Sequence, residues 1–419
     1  MILPNMIRVR QHLDRPILAD IPGSVQSELA RLDLGRRIKP GHTVALTAGS
    51  RGIANIPIVL KAVADHLKKL GAKPFLVPTM GSHGGGVAEK QRSIIESYGI
   101  TEEFVGIPIK ASMETLEVGT TEQGWPVLLD RHASEADHIG VVARVKPHTS
   151  FHGPIESGLL KMILIGLGKH NGALIYHRIL LEQPYDTVVR SVTRTMLSKA
   201  AIAFGVGIVE NGYDETAMIE AVHPEEFESR EEEMLVHARR LLPKLPVKTG
   251  DLLIVDRIGK EISGSGMDTN VVGRKRAVRG QPSMSDLPNF RLIFVRELSP
   301  KTQGNASGIG LADFTTKRLI ESMNYRDTVT NVLTAGYPEG AFIPVYMDTD
   351  RDVIEAALKI IGTRQPNEGR VVRILDTLHV DEVEISESVL SDPSPVTRYE
   401  PITTPRPMSF NALGNLPPL

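Results

Sequence analysis

Apolar and polar positions in the first half of the chain repeat one pattern. Residues 43–48 (TVALTA) form a short, nearly continuous apolar run, as expected of a buried strand, and lead into a glycine turn, GSRG. Residues 55–70 (NIPIVLKAVADHLKKL) then carry apolar positions at helical spacing and stop at Gly71. Strand-like PFLVPTM, the loop GSHGGG and a helical pattern near 86–98 repeat the sequence of strand, glycine loop and helix. A third strand, HIGVVARV (138–145), precedes a helical stretch at 183–200, a glycine-spaced strand at 203–212 and a charged helix at 224–242. This order predicts an α/β fold with a largely parallel sheet in the N-terminal part. Ligands in such sheets sit at the carboxyl ends of the strands, where GSRG and GSHGGG both fall.

A short Pro- and Gly-containing segment, PKLPVKTGD (243–251), reads as a linker. Beyond it, DLLIVDRIG (251–259) and RLIFVREL (291–298) are strands, with helical stretches near 313–322 and 350–361. The chain is therefore expected to form two α/β domains, 1–246 and 247–419, with a ligand cleft between them. The last residues, TTPRPMSFNALGNLPPL, read as an extended tail, packed on another domain or loose.

Composition narrows the chemistry. Net charge is −2 and charged residues make up 23% of the chain, so neither nucleic acid nor an anionic membrane surface is implied as a partner. No apolar run reaches membrane-spanning length, and the first residues lack the apolar core of a secretory signal, so a cytoplasmic location is expected. With no cysteine, a protein-held metal would have to use His, Asp, Glu or carbonyl oxygens, or arrive within a cofactor.

The candidate chemistry is concentrated in residues 146–177, KPHTSFHGPIESGLLKMILIGLGKHNGALIYH. They hold four of the protein's 13 histidines and three lysines against one acid, Glu156. Arg51, after the first strand, suits a carboxylate or phosphate. His83, in the second glycine loop, suits proton transfer near neutral pH. His148 and His152 follow the third strand, with Pro147 and Gly153 favouring a loop around them. Lys161 adjoins an apolar run, where it either snorkels or is partly buried. His177 lies on a helix, where a packed core histidine is the ordinary interpretation. Taken together, three successive loops bring Arg51, His83 and His148 to one edge of one sheet.

The order of these residues resembles the lactate racemase family, the nickel-pincer-nucleotide enzymes. TAGSR gives Arg51, MGSH gives His83, KPH gives His148 and SGLLK gives Lys161, with His177 sixteen residues further on. The resemblance covers most of 40–210 in motif order and, more loosely, the second half. It implies racemisation or epimerisation at C2 of a 2-hydroxy acid, with hydride passed to a nickel-pincer nucleotide made by separate biosynthetic enzymes. By the same resemblance, His83 and His148 are the paired acid/bases, Arg51 binds the substrate, Lys161 tethers the cofactor and His177 binds nickel. A second-domain contact falls on Arg274 or Lys275, with Arg274 preferred. The N-terminal domain would bind the cofactor and the C-terminal domain would close over the substrate.

Several positions depart from the family pattern. Ala48 and Gly52 flank Arg51 where an acid and a proline are usual, and Gly84 follows His83 in place of arginine. The longer interval between Pro147-His148 and Lys161 leaves His152 as an alternative to His148. These departures point to a divergent branch whose substrate need not be lactate. Two other readings remain open: a hydrolase or lyase with a simple divalent metal on His148, His152 and an acid, and a non-catalytic anion- or nucleotide-binding protein. The chain is a possible homo-oligomer.

Overall fold

A computed structural model describes residues 1–49, 52–275 and 287–419. The chain divides into two compact units, one of Arg15–Leu242 and the other of Met1–Asp14 with Pro243–Leu419. Both are α/β, as expected.

The first unit is built on a five-stranded sheet. Its order is Lys73–Pro78, Thr43–Ala48, His138–Arg144, Ile202–Glu210 and Thr216–Val222, parallel except for the last strand. Alternation along the strands serves two cores. Val44, Leu46 and Ala48 pack with helices Ile21–Arg31 and Ile56–Lys69, whereas Ala45, Phe75, Val77, Val141 and Ala143 face the other layer. That second layer holds the 159–167 segment and helices Tyr185–Lys199 and Phe227–Leu241. A two-stranded hairpin, Thr115–Thr120 with Pro126–Asp130, lies outside the sheet.

The carboxyl end of the sheet is fixed by side chains. Ladder pairing between Thr43–Ala48 and His138–Arg144 ends at Leu46 and Gly140. The Thr47 hydroxyl then takes over, accepting from Val142 N at 2.8 Å and donating to Val142 O at 3.1 Å. Glu210, at the end of its strand, pairs with Arg144 and accepts from Ala54 N at 2.5 Å. It therefore holds the end of the first loop against the sheet.

The second unit carries a nine-stranded mixed sheet. Residues 1–14, expected with the first domain, belong here. Strand Asn5–His12 pairs antiparallel with Glu382–Ser386 and Arg398–Pro401. Its Ile7 and Val9 are buried with Val383 and Ile385, which no local pattern could reveal. The stretch near 313–322, expected to be helical throughout, starts as strand Phe314–Thr316 and becomes helix only at Lys317. Thr315 and Thr316 are β-branched, and the Thr316 hydroxyl caps the helix by accepting from Leu319 N at 3.2 Å.

The C-terminal tail is packed within its own unit. Arg296 donates to Leu416 O at 2.9 Å, Arg373 to Pro417 O at 2.5 Å and Arg318 to Asn415 Oδ1 at 2.9 Å. These arginines also pair with the buried carboxylates of Asp256 and Asp350. Among the described residues, no helix is long and apolar enough to cross a membrane.

Candidate active site

The second loop follows strand Lys73–Pro78. Gly81, Gly84, Gly85 and Gly86 all have φ between 57° and 67°, a region that side chains disfavour, so the backbone can turn back on itself there. Buried Gln91 secures the turn, donating from Nε2 to Gly81 O at 2.9 Å and to His83 O at 3.0 Å. His83 itself is exposed. Gly86 lies against the ring of His170, which starts the same helix, Lys169–Ile179, that carries His177.

The third loop is closed at its base by the Lys146 N to Ser157 O bond, 2.9 Å. Its interior is organised by Glu156, which is fully buried. One carboxylate oxygen accepts from His148 N at 2.6 Å. The other meets Gly153 N at 3.2 Å, His152 Nδ1 at 3.1 Å and Arg239 Nη2 at 2.7 Å. His148 and His152 are thereby distinguished. His152 pairs with Glu156, whereas the His148 ring stacks on Phe151 with centroids 4.5 Å apart, and Phe151 stacks on Tyr185 at 4.3 Å. The Tyr185 hydroxyl donates to Glu156 O at 2.6 Å. His148 Nδ1 accepts from Ser150 N at 3.0 Å and Phe151 N at 3.2 Å. A nitrogen that accepts two amides carries no proton, so in the neutral ring the proton sits on Nε2.

Lys161 ends a single helical turn, Leu159–Lys161, that continues as a π-helical stretch, Met162–Leu167, and then as Lys169–Ile179. Wider π-helical turns of this kind are common at functional sites. His177 is half-buried, and its pKa is lowered first by burial and then by the positive charge of Lys161. The anchor candidate and the metal-ligand candidate are thus within electrostatic reach of each other. At the junction of the two helical stretches, Lys169 adopts φ 56°. Its buried ammonium donates to Pro78 O at 2.5 Å and pairs with buried Asp130 at 3.1 Å, tying the junction to the strand that leads to His83.

Arg51 lies outside the described residues. Arg274 is engaged within its own unit, donating to Asp313 Oδ2 at 2.6 Å, and Lys275 Nζ donates to Asn270 Oδ1 at 3.1 Å. Sequence reasoning did not identify Glu156, Lys169, Tyr185 or Glu231 as parts of the site. For Glu156 a signal was present: it is the lone acid among seven basic or imidazole side chains.

The residues present fit a pincer-nucleotide cofactor. Half-buried His177, with its pKa lowered, offers a neutral imidazole suited to nickel. Buried Thr79 Oγ1 and His170 Nδ1, beside the same loop and helix, have no hydrogen-bond partner among the described residues and could meet polar groups of a ligand. A simple divalent-metal site fits less well. Among the described residues, no three His, Asp or Glu side chains group as metal ligands, and Arg239 already occupies the one carboxylate between His148 and His152.

Residues 40–188 match the family described as the lactate racemase N-terminal domain. The chain carries a lactate racemase N-terminal domain. That segment spans the first two loops, the His148 loop, Lys161 and His177. The solved lactate racemase apoprotein from Thermoanaerobacterium thermosaccharolyticum has a similar fold, with a TM-score of 0.52 and 14% identity over 90% of this chain and 99% of that one. No curated protein matches the chain.

Proposed function

We propose that the protein is a racemase or epimerase that inverts C2 of a 2-hydroxy acid with the help of a nickel-pincer nucleotide. The observation that carries this reading is the placement of Lys161 within electrostatic reach of half-buried His177, on a helical segment that packs against the His83 loop. Lys161 would tether the cofactor and His177 would ligate its nickel. When bound, the cofactor supplies a hydride acceptor and donor, which avoids building a carbanion beside a carboxylate.

The chain's own residues handle the protons and the orientation. Arg51 would hold the substrate carboxylate in a bidentate fork. One histidine, neutral, would take the hydroxyl proton, and the other, as its imidazolium, would return a proton to the oxygen at C2 from the opposite side of the substrate. In this neutral form His148 presents Nε2–H as a hydrogen-bond donor, and to give up that proton it would first have to take one at Nδ1. To accept one at Nε2, its ring must exchange tautomers, with Ser150 N and Phe151 N releasing Nδ1. The backbone of His83, on its glycine loop, is held by Gln91 and Met80.

The test is inversion of a panel of chiral 2-hydroxy acids deuterated at C2, using protein co-expressed with the cofactor-forming enzymes. The reading expects inversion with deuterium kept at C2, and losses of about a hundredfold or more in His83→Ala and His148→Ala. Full turnover in both variants, in both directions, would remove the two-histidine scheme. Loss of deuterium to water during inversion would remove the hydride step.

A further inference from the structure

We propose that Glu231 is a positioning residue for Lys161: its carboxyl group closes the start of the helical turn that carries the lysine and so fixes where the amine stands. Its functional meaning rests on reading Lys161 as the cofactor anchor, but the geometry does not depend on that reading.

The turn Leu159–Lys161 starts at Gly158 with no side-chain cap from its own segment. Leu159 and Leu160 are fully buried, so their amides would otherwise be unpaired donors in an apolar layer. Glu231, from helix Phe227–Leu241, supplies the acceptor. Its Oε2 accepts from Leu160 N at 2.9 Å, and the neighbouring Leu159 amide also favours the charged carboxylate. A Cβ at residue 158 would collide with this carboxyl group, so the close approach depends on glycine there. Glu231 Oε1 has no partner among the described residues. The carboxyl group is therefore buried at the start of this turn, at a site where an apolar side chain would avoid the desolvation cost. The same helix sends Arg239 to Gly153 O at 2.5 Å and to Glu156. One helix thus supports both the anchor turn and the His148 loop from behind.

The test uses the full-length protein without cofactor. Trace acylation with an amine-selective reagent, followed by peptide mapping, gives the rate at Lys161 relative to exposed Lys199 and Lys359. Amide exchange reports on Leu159 and Leu160. Glu231→Ala is expected to change the relative rate at Lys161 and to speed exchange of those amides by about tenfold, as loss of a buried hydrogen bond implies. Glu231→Gln, which keeps an acceptor oxygen, should stay within about twofold of the parent. If Glu231→Ala does not fold, Glu231→Asp, with its carboxyl group drawn back by one methylene, should show the same change. Unchanged Lys161 reactivity and Leu160 exchange in the folded variant would overturn the proposal. Separately, failure of the parent protein to gain mass at Lys161 on co-expression with the cofactor-forming enzymes would overturn the anchor reading, while the labelling result still decides the positioning role.

Discussion

Replacing Arg239 with methionine should loosen the His148 loop while leaving the rest of its unit intact. Glu156 is fully buried and accepts from His148 N, Gly153 N, His152 and Arg239, of which only Arg239 is a permanent cation. Breaking a fully buried ion pair costs about 3–5 kcal/mol because the remaining charge is left uncompensated. The Arg239 side chain is 35% exposed, so solvent screens part of the attraction, and about 2 kcal/mol is the appropriate scale. That energy corresponds to roughly 30-fold in an equilibrium constant. Native-state hydrogen exchange reads it directly, because the amides of His148, Ser150, Phe151 and Gly153 all donate within the loop. Their exchange should rise by about that factor, with helix Ile56–Lys69 unchanged as the internal control. A rise below about threefold, or one shared equally by that helix, would refute the view that Glu156 and Arg239 organise the loop.

Two further outcomes follow from buried charges in the first unit. Burial raises the Glu231 pKa to about 7 from an ordinary 4.5. Its contribution to stability is therefore fully present below 4.5 and is lost as pH rises through about 7, on the order of 3 kcal/mol in all. Urea unfolding at pH 5 and pH 8 should show the parent protein losing stability relative to Glu231→Gln as pH rises, and parallel behaviour would contradict the assignment. Lys169→Met should destabilise the unit by about 3–5 kcal/mol by leaving Asp130 buried without its cation. Adding Asp130→Asn, which keeps the acceptor for Ala133 N, should restore most of the loss in thermal unfolding, and a double variant no better than the single one would show that the pair is not coupled.

The strands and glycine loops of the first sheet were legible in the sequence because each is a local signal: a short apolar run, a turn, then helical spacing. Motif order then assigned distinct roles to Arg51, His83, His148, Lys161 and His177. The supports of the site were not legible, because they depend on contacts between distant positions. Glu231 reaches Leu160 across 71 residues, and Lys169 reaches Pro78 across 91. In sequence, Glu231 sits within a run of acids, SREEEML, where a solvated helix face is the natural interpretation. Strand Asn5–His12 was missed for the same reason, since its partners lie more than 370 residues away. The different surroundings of His148 and His152 were not legible either: the stack on Phe151 and the pairing with Glu156 have no counterpart in residue spacing.

The central claim is that Lys161 and His177 hold a nickel-pincer nucleotide. Intact-mass and peptide mapping, combined with metal analysis, should be applied to protein co-expressed with the enzymes that make that cofactor. The account predicts added mass confined to Lys161 with bound nickel, loss of the mass in Lys161→Ala, and loss of nickel in His177→Ala. Unmodified Lys161 in fully folded protein, or nickel retained unchanged in His177→Ala, would contradict it.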